Sequence, residues 1–156
     1  MPANESPEPK RTIALVAHDH RKKDLVEGAV HNADTLVRHR LVCTGTTGGQ
    51  IEKALAAWSP EVVRLRSGPL GGDQQLGALI AEGEIDLFVF LWDPMQPQPH
   101  DVDVKALLRI AVLCNVPTAC NRATADFVIS SALLESGYEP TKKDYEGYLE
   151  RDLPED

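Results

Sequence analysis

The sequence has few cysteines, a deficit of positive charge and no long apolar run, and each of these argues against a class of protein. Its 156 residues carry 16 Lys and Arg against 24 Asp and Glu, for a formal net charge of −8. That balance argues against a broad surface for nucleic acid or anionic membrane. The longest uncharged apolar run, Leu87–Trp92, is far shorter than the roughly 20 residues that span a bilayer. We therefore expect the protein to bind neither nucleic acid nor membrane.

The cysteines are too few and too scattered to form a framework. Cys43, Cys114 and Cys120 give an odd count, and no two of them form a C-x-x-C pair. This pattern predicts reduced thiols and argues against a structural zinc site. No charged-then-apolar signal peptide opens the chain. Together these features predict a cytoplasmic location.

Apolar strands alternate with amphipathic helical patterns along the chain. Strands are predicted at 12–18, 40–44, 61–67, 86–92 and 116–121. Helices are predicted at 21–30, 49–58, 73–83, 103–115 and 124–136. The first and fourth strands are almost continuously apolar, as expected when both faces of a parallel sheet are covered. The pattern predicts an α/β fold: an open, doubly wound, Rossmann-like sheet of about five parallel strands with helices on both faces.

The two ends of the chain differ in composition from its middle. Residues 1–10 are polar and proline-rich, which predicts a disordered N-terminal arm. Residues 151–156 are predicted to form a flexible tail, and residues 11–150 a single domain.

Polar clusters follow four of the predicted strands, where ligands of open α/β sheets bind. The first contains His18, Asp19 and His20, and the second is "TGTTGG" (44–49). The third is "SGPLGGD" (67–73), and the fourth runs from Asp93 to Asp103. We expect these four loops to converge on one crevice.

The second cluster fits a phosphate cradle at the start of a helix. Hydroxyls of Thr44, Thr46 and Thr47 can donate to phosphate oxygens, and helix-opening amides suit an anion. The cluster is neither a Walker A loop nor G-x-G-x-x-G. A threonine N-cap followed by a turn remains the structural alternative.

The first cluster offers cations and imidazoles. A lysine or arginine on the first helical turn, within Arg21–Lys23, could pair with phosphate, whereas a solvated helix face is the ordinary explanation for Arg21 and Lys23. His18 and His20 could also ligate a metal, but no recognisable set of further ligands completes such a site. Asp19 has the alternative role of an N-cap.

The fourth cluster contains His100, Asp101 and Asp103 at the end of a proline-rich loop. Asp101 has the alternative role of an N-cap, and Asp103 that of a charge near the helix dipole. Prolines at 94, 97 and 99 stiffen the loop that carries His100. A neutral imidazole there could donate a hydrogen bond to a carbonyl oxygen.

Asp73 in the third cluster follows Gly71 and Gly72 and opens a helix. An N-cap role is again the alternative, but capping does not need two preceding glycines. Glycines there allow a substrate to pass close to the backbone while the carboxylate reaches a C–H bond.

The set of motifs resembles the methylglyoxal synthase family from about Thr12 to Ser130. It is carried in order by "IALVAHDHRK", "CTGTTG", "SGPLGGDQQLGALI", "WDPMQPQPHDVDVKALLR" and "NVPTACNRATADFVI". The resemblance implies a metal-free and cofactor-free conversion of dihydroxyacetone phosphate to methylglyoxal and inorganic phosphate. It also implies a homohexamer that phosphate inhibits allosterically.

The resemblance assigns roles residue by residue. Asp73 is the implied catalytic base, Asp103 a second catalytic aspartate, and His100 the histidine that contacts the substrate oxygens. The implied phosphate-side positions are His18, Lys22, Thr44, Gly45, Thr46, Thr47, Ser67 and Gly68. Arg109 is hypothesised to pair with Asp19 in the allosteric coupling.

Two other functions remain open at this point. One is a non-catalytic regulatory domain of the same fold that binds a phosphorylated effector. The other is a metal-dependent hydrolase built on His18, His20, His100 and Asp101.

Overall fold

The computed structural model describes residues 8–150, which form a parallel sheet covered by helices. The strands are β1 (Thr12–Ala17), β2 (Arg40–Thr44), β3 (Glu61–Leu65), β4 (Leu87–Leu91) and β5 (Thr118–Ala119). The helices are α1 (Lys22–His31), α2 (Ala33–Leu36), α3 (Gly45–Ala54), α4 (Gly72–Ala81), α5 (Asp101–Leu113), α6 (Arg122–Ile129) and α7 (Glu146–Leu149). Short 3-10 turns lie at Asp19–Arg21, Ala56–Trp58 and Gly68–Leu70.

The sheet has the order β3-β2-β1-β4-β5, and every strand pair is parallel. The direction of winding reverses between β1 and β4, where Leu15 pairs with Val89. In such sheets a crevice opens beyond the carboxyl ends of the strands at this reversal. The predicted fold class is confirmed.

Alternation along the central strands builds one core on each face of the sheet. Ile13 and Leu15 of β1 belong to one buried cluster together with helices α1, α3 and α6. Ala14 and Val16 belong to the other, together with helices α4 and α5. The near-continuous apolar runs of β1 and β4 follow from burial on both faces.

Some boundaries differ from the sequence prediction. Helix α3 begins at Gly45 rather than at residue 49, because Gly45 adopts a positive φ of 48° that lets the chain turn directly from β2 into the helix. Helix α5 begins two residues earlier than predicted, at Asp101. Helix α6 ends at Ile129, and Ser131 Oγ then accepts a hydrogen bond from the Leu133 N–H, a local bond that competes with helix continuation.

The predicted terminal segments lie mostly outside the described residues. Residues 1–7 of the N-terminal arm and the whole tail, 151–156, are outside them. Residues 8–10 have no regular secondary structure, although Lys10 forms an ion pair with Glu61. Among residues 8–150 no helix combines the length and apolarity that crossing a membrane requires.

Candidate active site

Asp73 and His100 face each other at the carboxyl edge of the sheet. Asp73 lies on the first turn of α4 and His100 immediately before α5, and their Oδ2 and Nε2 atoms are 3.5 Å apart. Asp73 is 3% exposed and His100 8%. Within residues 8–150, neither Asp73 Oδ2 nor His100 Nδ1 has a hydrogen-bond partner. Buried polar atoms are almost always hydrogen-bonded, so these two mark a place where a ligand could bind.

The environment of Asp73 makes its carboxylate a stronger base than a solvent-exposed one. Burial raises the pKa of Asp73, and the charge of nearby Asp103 raises it further, while His100 opposes both effects. A raised pKa increases the proton affinity of the ionised form, which suits proton abstraction from carbon.

The glycines ahead of Asp73 have separate structural reasons. A side chain on Gly68 would lie 3.0 Å from His100 Nε2 and 3.2 Å from both carboxylate oxygens of Asp73. Gly68 therefore leaves open the space above the Asp73–His100 pair. A side chain on Gly72 would collide with the carbonyl oxygen of Arg66, and Gly71 adopts a φ of 103°. These glycines fold the loop tightly against the start of α4.

His18 at the end of β1 completes the buried group. Its Nδ1 accepts a hydrogen bond of 2.9 Å from the Asp93 N–H, which fixes the neutral tautomer with hydrogen on Nε2. Burial lowers the pKa of His18, and neighbouring His100 lowers it further, so the neutral form is favoured. Within the described chain His18 Nε2 has no partner, and the His18 and His100 rings lie edge to face at 5.5 Å. The Nε2–H group is thus a hydrogen-bond donor available to a ligand.

Lys22 connects the first and second loops. Its ammonium donates to Thr46 Oγ at 2.7 Å and to Asp19 Oδ1 at 2.8 Å. The hydrogen bond from Lys22 lowers the pKa of Asp19, which keeps that carboxylate ionised. Lys22 is the predicted phosphate cation, and the structure puts it beside the helix start that the second cluster forms.

The second cluster is a helix start rather than an open loop. Thr44 and Thr47 are buried, whereas Thr46 is exposed. The Gly45 N–H donates to the Arg66 carbonyl, which ties this helix start to the loop that contains Ser67 and Gly68.

Gly48 and Gly49 make room for a protein side chain rather than for a ligand. A side chain on either residue would contact the side chain of Arg64, which pairs with Glu52. The small size of these two glycines is therefore explained by packing.

The structure does not bear out the alternative N-cap roles of Asp19, Asp73 and Asp101. The residues at the capping positions are His18, Gly71 and His100, and Asp19, Asp73 and Asp101 each lie one or two residues further on. None of these three helix starts has a side-chain cap hydrogen bond. Asp101 instead accepts a hydrogen bond from the Gln98 N–H.

Asp103 and Arg109 lie on helix α5. Asp103 is half-buried on the first turn, where its N–H donates to the His100 carbonyl at 2.9 Å. Arg109 is exposed, and within residues 8–150 Asp19 pairs with Lys22 and not with Arg109. The role of Arg109 as a partner of Asp19 in allosteric coupling stays a prediction.

Asp93 is a site residue that the sequence reasoning did not single out. It is 5% exposed, its N–H orients His18, and its Oδ1 accepts a hydrogen bond from the Met95 N–H. Its position could have been recognised from the sequence, because it lies shortly after a buried strand and directly before Pro94. An aspartate there favours a turn in which its side chain accepts a hydrogen bond from the N–H two residues on.

Within residues 8–150 no group of three or more His, Cys, Asp or Glu side chains is arranged to hold a metal ion. His20, part of the alternative hydrolase site, is exposed, while His18 Nδ1 is occupied by the Asp93 N–H. The geometry therefore gives the metal-dependent hydrolase no support.

Comparison with known proteins identifies the family. A family model described as the MGS-like domain matches residues 24–120. Methylglyoxal synthase of Maridesulfovibrio salexigens is 53% identical, with 92% of this chain and 98% of that protein covered. Methylglyoxal synthase of Coxiella burnetii is 52% identical, with 90% and 96% covered. The crystal structure of methylglyoxal synthase from Elizabethkingia anophelis matches with a TM-score of 0.87 and 54% identity, covering 94% of this chain and 95% of that one.

The chain belongs to the methylglyoxal synthase family. The likeness extends through nearly the whole length of these relatives, so the resemblance predicted from the motifs is confirmed. The matched region contains Asp73, His100 and Asp103, which the structure brings to one end of the sheet.

Proposed function

We propose that this protein is a carbon–oxygen lyase that converts dihydroxyacetone phosphate to methylglyoxal and inorganic phosphate, as in a glycolytic bypass. The observation that carries the proposal is the buried Asp73–His100 pair: Gly68 leaves open the space beside the Asp73 carboxylate and His100 Nε2, and within residues 8–150 Asp73 Oδ2 has no hydrogen-bond partner. Family membership supports the same reaction.

Asp73 is proposed to remove a proton from the hydroxymethyl carbon next to the substrate ketone. The electron pair of that C–H bond forms a carbon–carbon double bond, and negative charge develops on the ketone oxygen. The raised pKa of Asp73 supports this role, because it brings the proton affinity of the base closer to that of the carbon acid.

His100 is proposed to donate a hydrogen bond to the developing oxyanion. Its Nε2 lies 3.5 Å from the base, within reach of an oxygen one bond away from the reacting carbon. The neutral His18 Nε2–H is a second donor at the same edge. Donors that are already oriented stabilise such charge without reorganisation during the reaction. Asp103 acts in the proposal by raising the proton affinity of Asp73 or by carrying protons between the substrate oxygens.

The phosphate group leaves in the second step. The hydroxyl proton on the deprotonated carbon first passes to the oxygen of the former ketone. The oxygen that lost this proton then forms the aldehyde C=O bond, the carbon–carbon double bond shifts to the phosphate-bearing carbon, and the bond from that carbon to the phosphate oxygen breaks, so that its electron pair leaves with inorganic phosphate. The remaining enol takes up a proton at its methylene carbon and loses its hydroxyl proton to give methylglyoxal. Elimination requires the breaking bond to stand perpendicular to the enediolate plane, so the phosphate must be held in that orientation.

The proposed phosphate-binding site combines residues of the first three polar clusters. Lys22 supplies a cation already hydrogen-bonded to Thr46, and the opening amides of α3 supply donors. Ser67 and Gly68 border the same helix start through the bond from the Gly45 N–H to Arg66. Thr44 and Thr47 are buried at the same helix start.

The finer parts of the proposal are a homohexamer, allosteric inhibition by phosphate and a cytoplasmic location. Exposed apolar side chains on segments bordering the site support assembly: Leu70, Met95 and Val102 are 72%, 78% and 76% exposed. Light scattering of the purified protein measures the assembly, and turnover at increasing phosphate concentration measures inhibition.

Product formation tests the proposal directly. The purified protein is incubated with dihydroxyacetone phosphate, and methylglyoxal and phosphate are measured separately, with and without a metal chelator. We expect equal amounts of the two products and no effect of the chelator. Binding of the substrate without any product would favour the regulatory domain, and loss of turnover with the chelator would favour the hydrolase.

A further inference from the structure

A large cavity lies at the opposite edge of the sheet from the candidate active site. Its volume is about 850 Å³, and its lining includes residues that directly precede three strands: Arg11, Asp86 and Pro117. The C-terminal segment 131–145 contributes to its other wall. Binding sites for small molecules span about 300–1,000 Å³, so this amino-edge cavity has the size of a ligand site.

Arg11 is a buried cation in the wall of the amino-edge cavity. It is 8% exposed, and its guanidinium donates to three carbonyl oxygens of the C-terminal segment, those of Leu134, Ser136 and Tyr138. These bonds use Nε and Nη2. Within residues 8–150 no hydrogen bond engages Nη1, so its two hydrogens remain available to a ligand.

Arg11 also has no counter-ion among the described residues. No carboxylate in residues 8–150 forms an ion pair with it, and Asp86 of the cavity wall accepts a hydrogen bond from the Thr12 N–H instead. The other charges of the lining, such as Glu139 and Lys143, are exposed to solvent. A buried charge that is not paired is unfavourable, and carbonyl dipoles compensate it only in part.

The rest of the wall is largely apolar. Ile80, Ile85 and Leu134 are buried side chains of this wall, and Phe127 lines it from helix α6. A ligand that fits must therefore place one negative group at Arg11 and an apolar body against these side chains.

We propose that the amino-edge cavity is a binding site for a small organic anion with an apolar body, held by Arg11. This site is separate from the reaction at the carboxyl edge and does not depend on the proposed function. A bound anion would supply the counter-charge that Arg11 lacks.

The three cysteines allow a test on the full-length protein. Cys114 lines the cavity, Cys120 is exposed at the other end of the sheet, and burial raises the pKa of Cys43 to about 12, which keeps it unreactive. Alkylation of each cysteine by iodoacetamide is followed by mass spectrometry at increasing concentrations of octanoate, 1-octanol or inorganic phosphate. Cys120 serves as the internal control.

We expect octanoate to slow the alkylation of Cys114 saturably without changing that of Cys120. Half-maximal protection by 1-octanol should need at least about tenfold more ligand, because the alcohol lacks the charge that meets Arg11. Phosphate should give no protection. Equal protection by octanoate and octanol, protection by phosphate, or no protection at all would each overturn the proposal.

Two variants add a second test. Arg11→Met should abolish protection by octanoate, whereas Lys143→Met, which removes an exposed cation of the same lining, should retain it. Retained protection in a folded Arg11→Met variant would overturn the proposal. If that variant fails to fold, the comparison of octanoate with octanol in the wild-type protein still decides the question.

Discussion

At the scale of single residues, Gly68 leaves space in the candidate site because it has no side chain. A methyl group there would lie 3.0 Å from His100 Nε2 and 3.2 Å from each oxygen of Asp73. It would occupy the space in which, in the proposed mechanism, the reacting carbon approaches Asp73. A positive φ is not the reason for this glycine, since Gly68 does not adopt one.

We expect Gly68→Ala to lower kcat/KM strongly without loss of folding. A positioned base contributes about 10²–10⁴-fold to rate, and the variant should lose a large part of that factor. Steady-state kinetics and a thermal melt measure the two effects. Unchanged kcat/KM in Gly68→Ala would mean that the substrate does not enter this space.

Ionised Asp73 is expected to reduce the stability of the folded protein, independently of its proposed role as the base. Its pKa is raised from the ordinary value of 3.8, so the folded state disfavours the ionised carboxylate. This penalty is fully present above the raised pKa and disappears as the pH falls below 3.8. Asp73→Asn should therefore increase the free energy of unfolding at neutral pH, and the increase should shrink on acidification.

Urea unfolding of wild type and Asp73→Asn at several pH values measures this difference. Asp101→Asn is the matched control, because Asp101 is an exposed aspartate on the first turn of helix α5. A variant that is less stable than wild type at neutral pH would contradict the assignment of Asp73 as a buried, destabilised base.

At the scale of elements, helix α4 contains two glycines with opposite roles. Gly72 is packed against the Arg66 carbonyl, whereas a side chain on Gly77 would make only an ordinary contact of 3.8 Å with Leu107. Glycine in a helix interior is less favourable than alanine by about 0.5–1 kcal/mol.

Gly77→Ala is expected to raise the free energy of unfolding by about 0.5–1 kcal/mol, and Gly72→Ala to lower it. Equilibrium urea unfolding measures both. A decrease in Gly77→Ala would show that α4 and α5 are packed too closely for a methyl group.

The elements that the sequence predicts well are those whose residues are nearly all apolar. β1 and β4 could be predicted because burial on both faces removes nearly every polar residue from them. The start of α3 could not, because "GTTGG" suggests a loop by composition, whereas Gly45 supplies the turn that lets the helix begin at once.

The site could be predicted only in part, for a related reason. Asp73, His100 and Lys22 could be predicted because each has an ionisable side chain in a polar segment that follows a strand. Asp93 acts on His18 through its backbone N–H, which every residue but proline possesses, so its identity carries little information about that role.

At the scale of the whole molecule, the topology brings these loops together. The sheet order β3-β2-β1-β4-β5 puts the ends of β1 and β4 side by side, where the His18 N–H donates to the Leu91 carbonyl at 3.2 Å. Sequence order alone predicts parallel strands but does not fix which strands are neighbours. This arrangement brings His18 into contact with Asp93, which lies 75 positions further along the chain, and with His100.

The most direct test of the account is the turnover of dihydroxyacetone phosphate by Asp73→Asn beside the wild type and Asp101→Asn. Methylglyoxal and phosphate release are measured, together with inorganic phosphate binding by calorimetry. The account predicts that Asp73→Asn loses about 10²–10⁴-fold in kcat while it binds phosphate as the wild type does and Asp101→Asn stays close to wild type. Wild-type turnover by Asp73→Asn would contradict it, since the carboxylate could not then be the base.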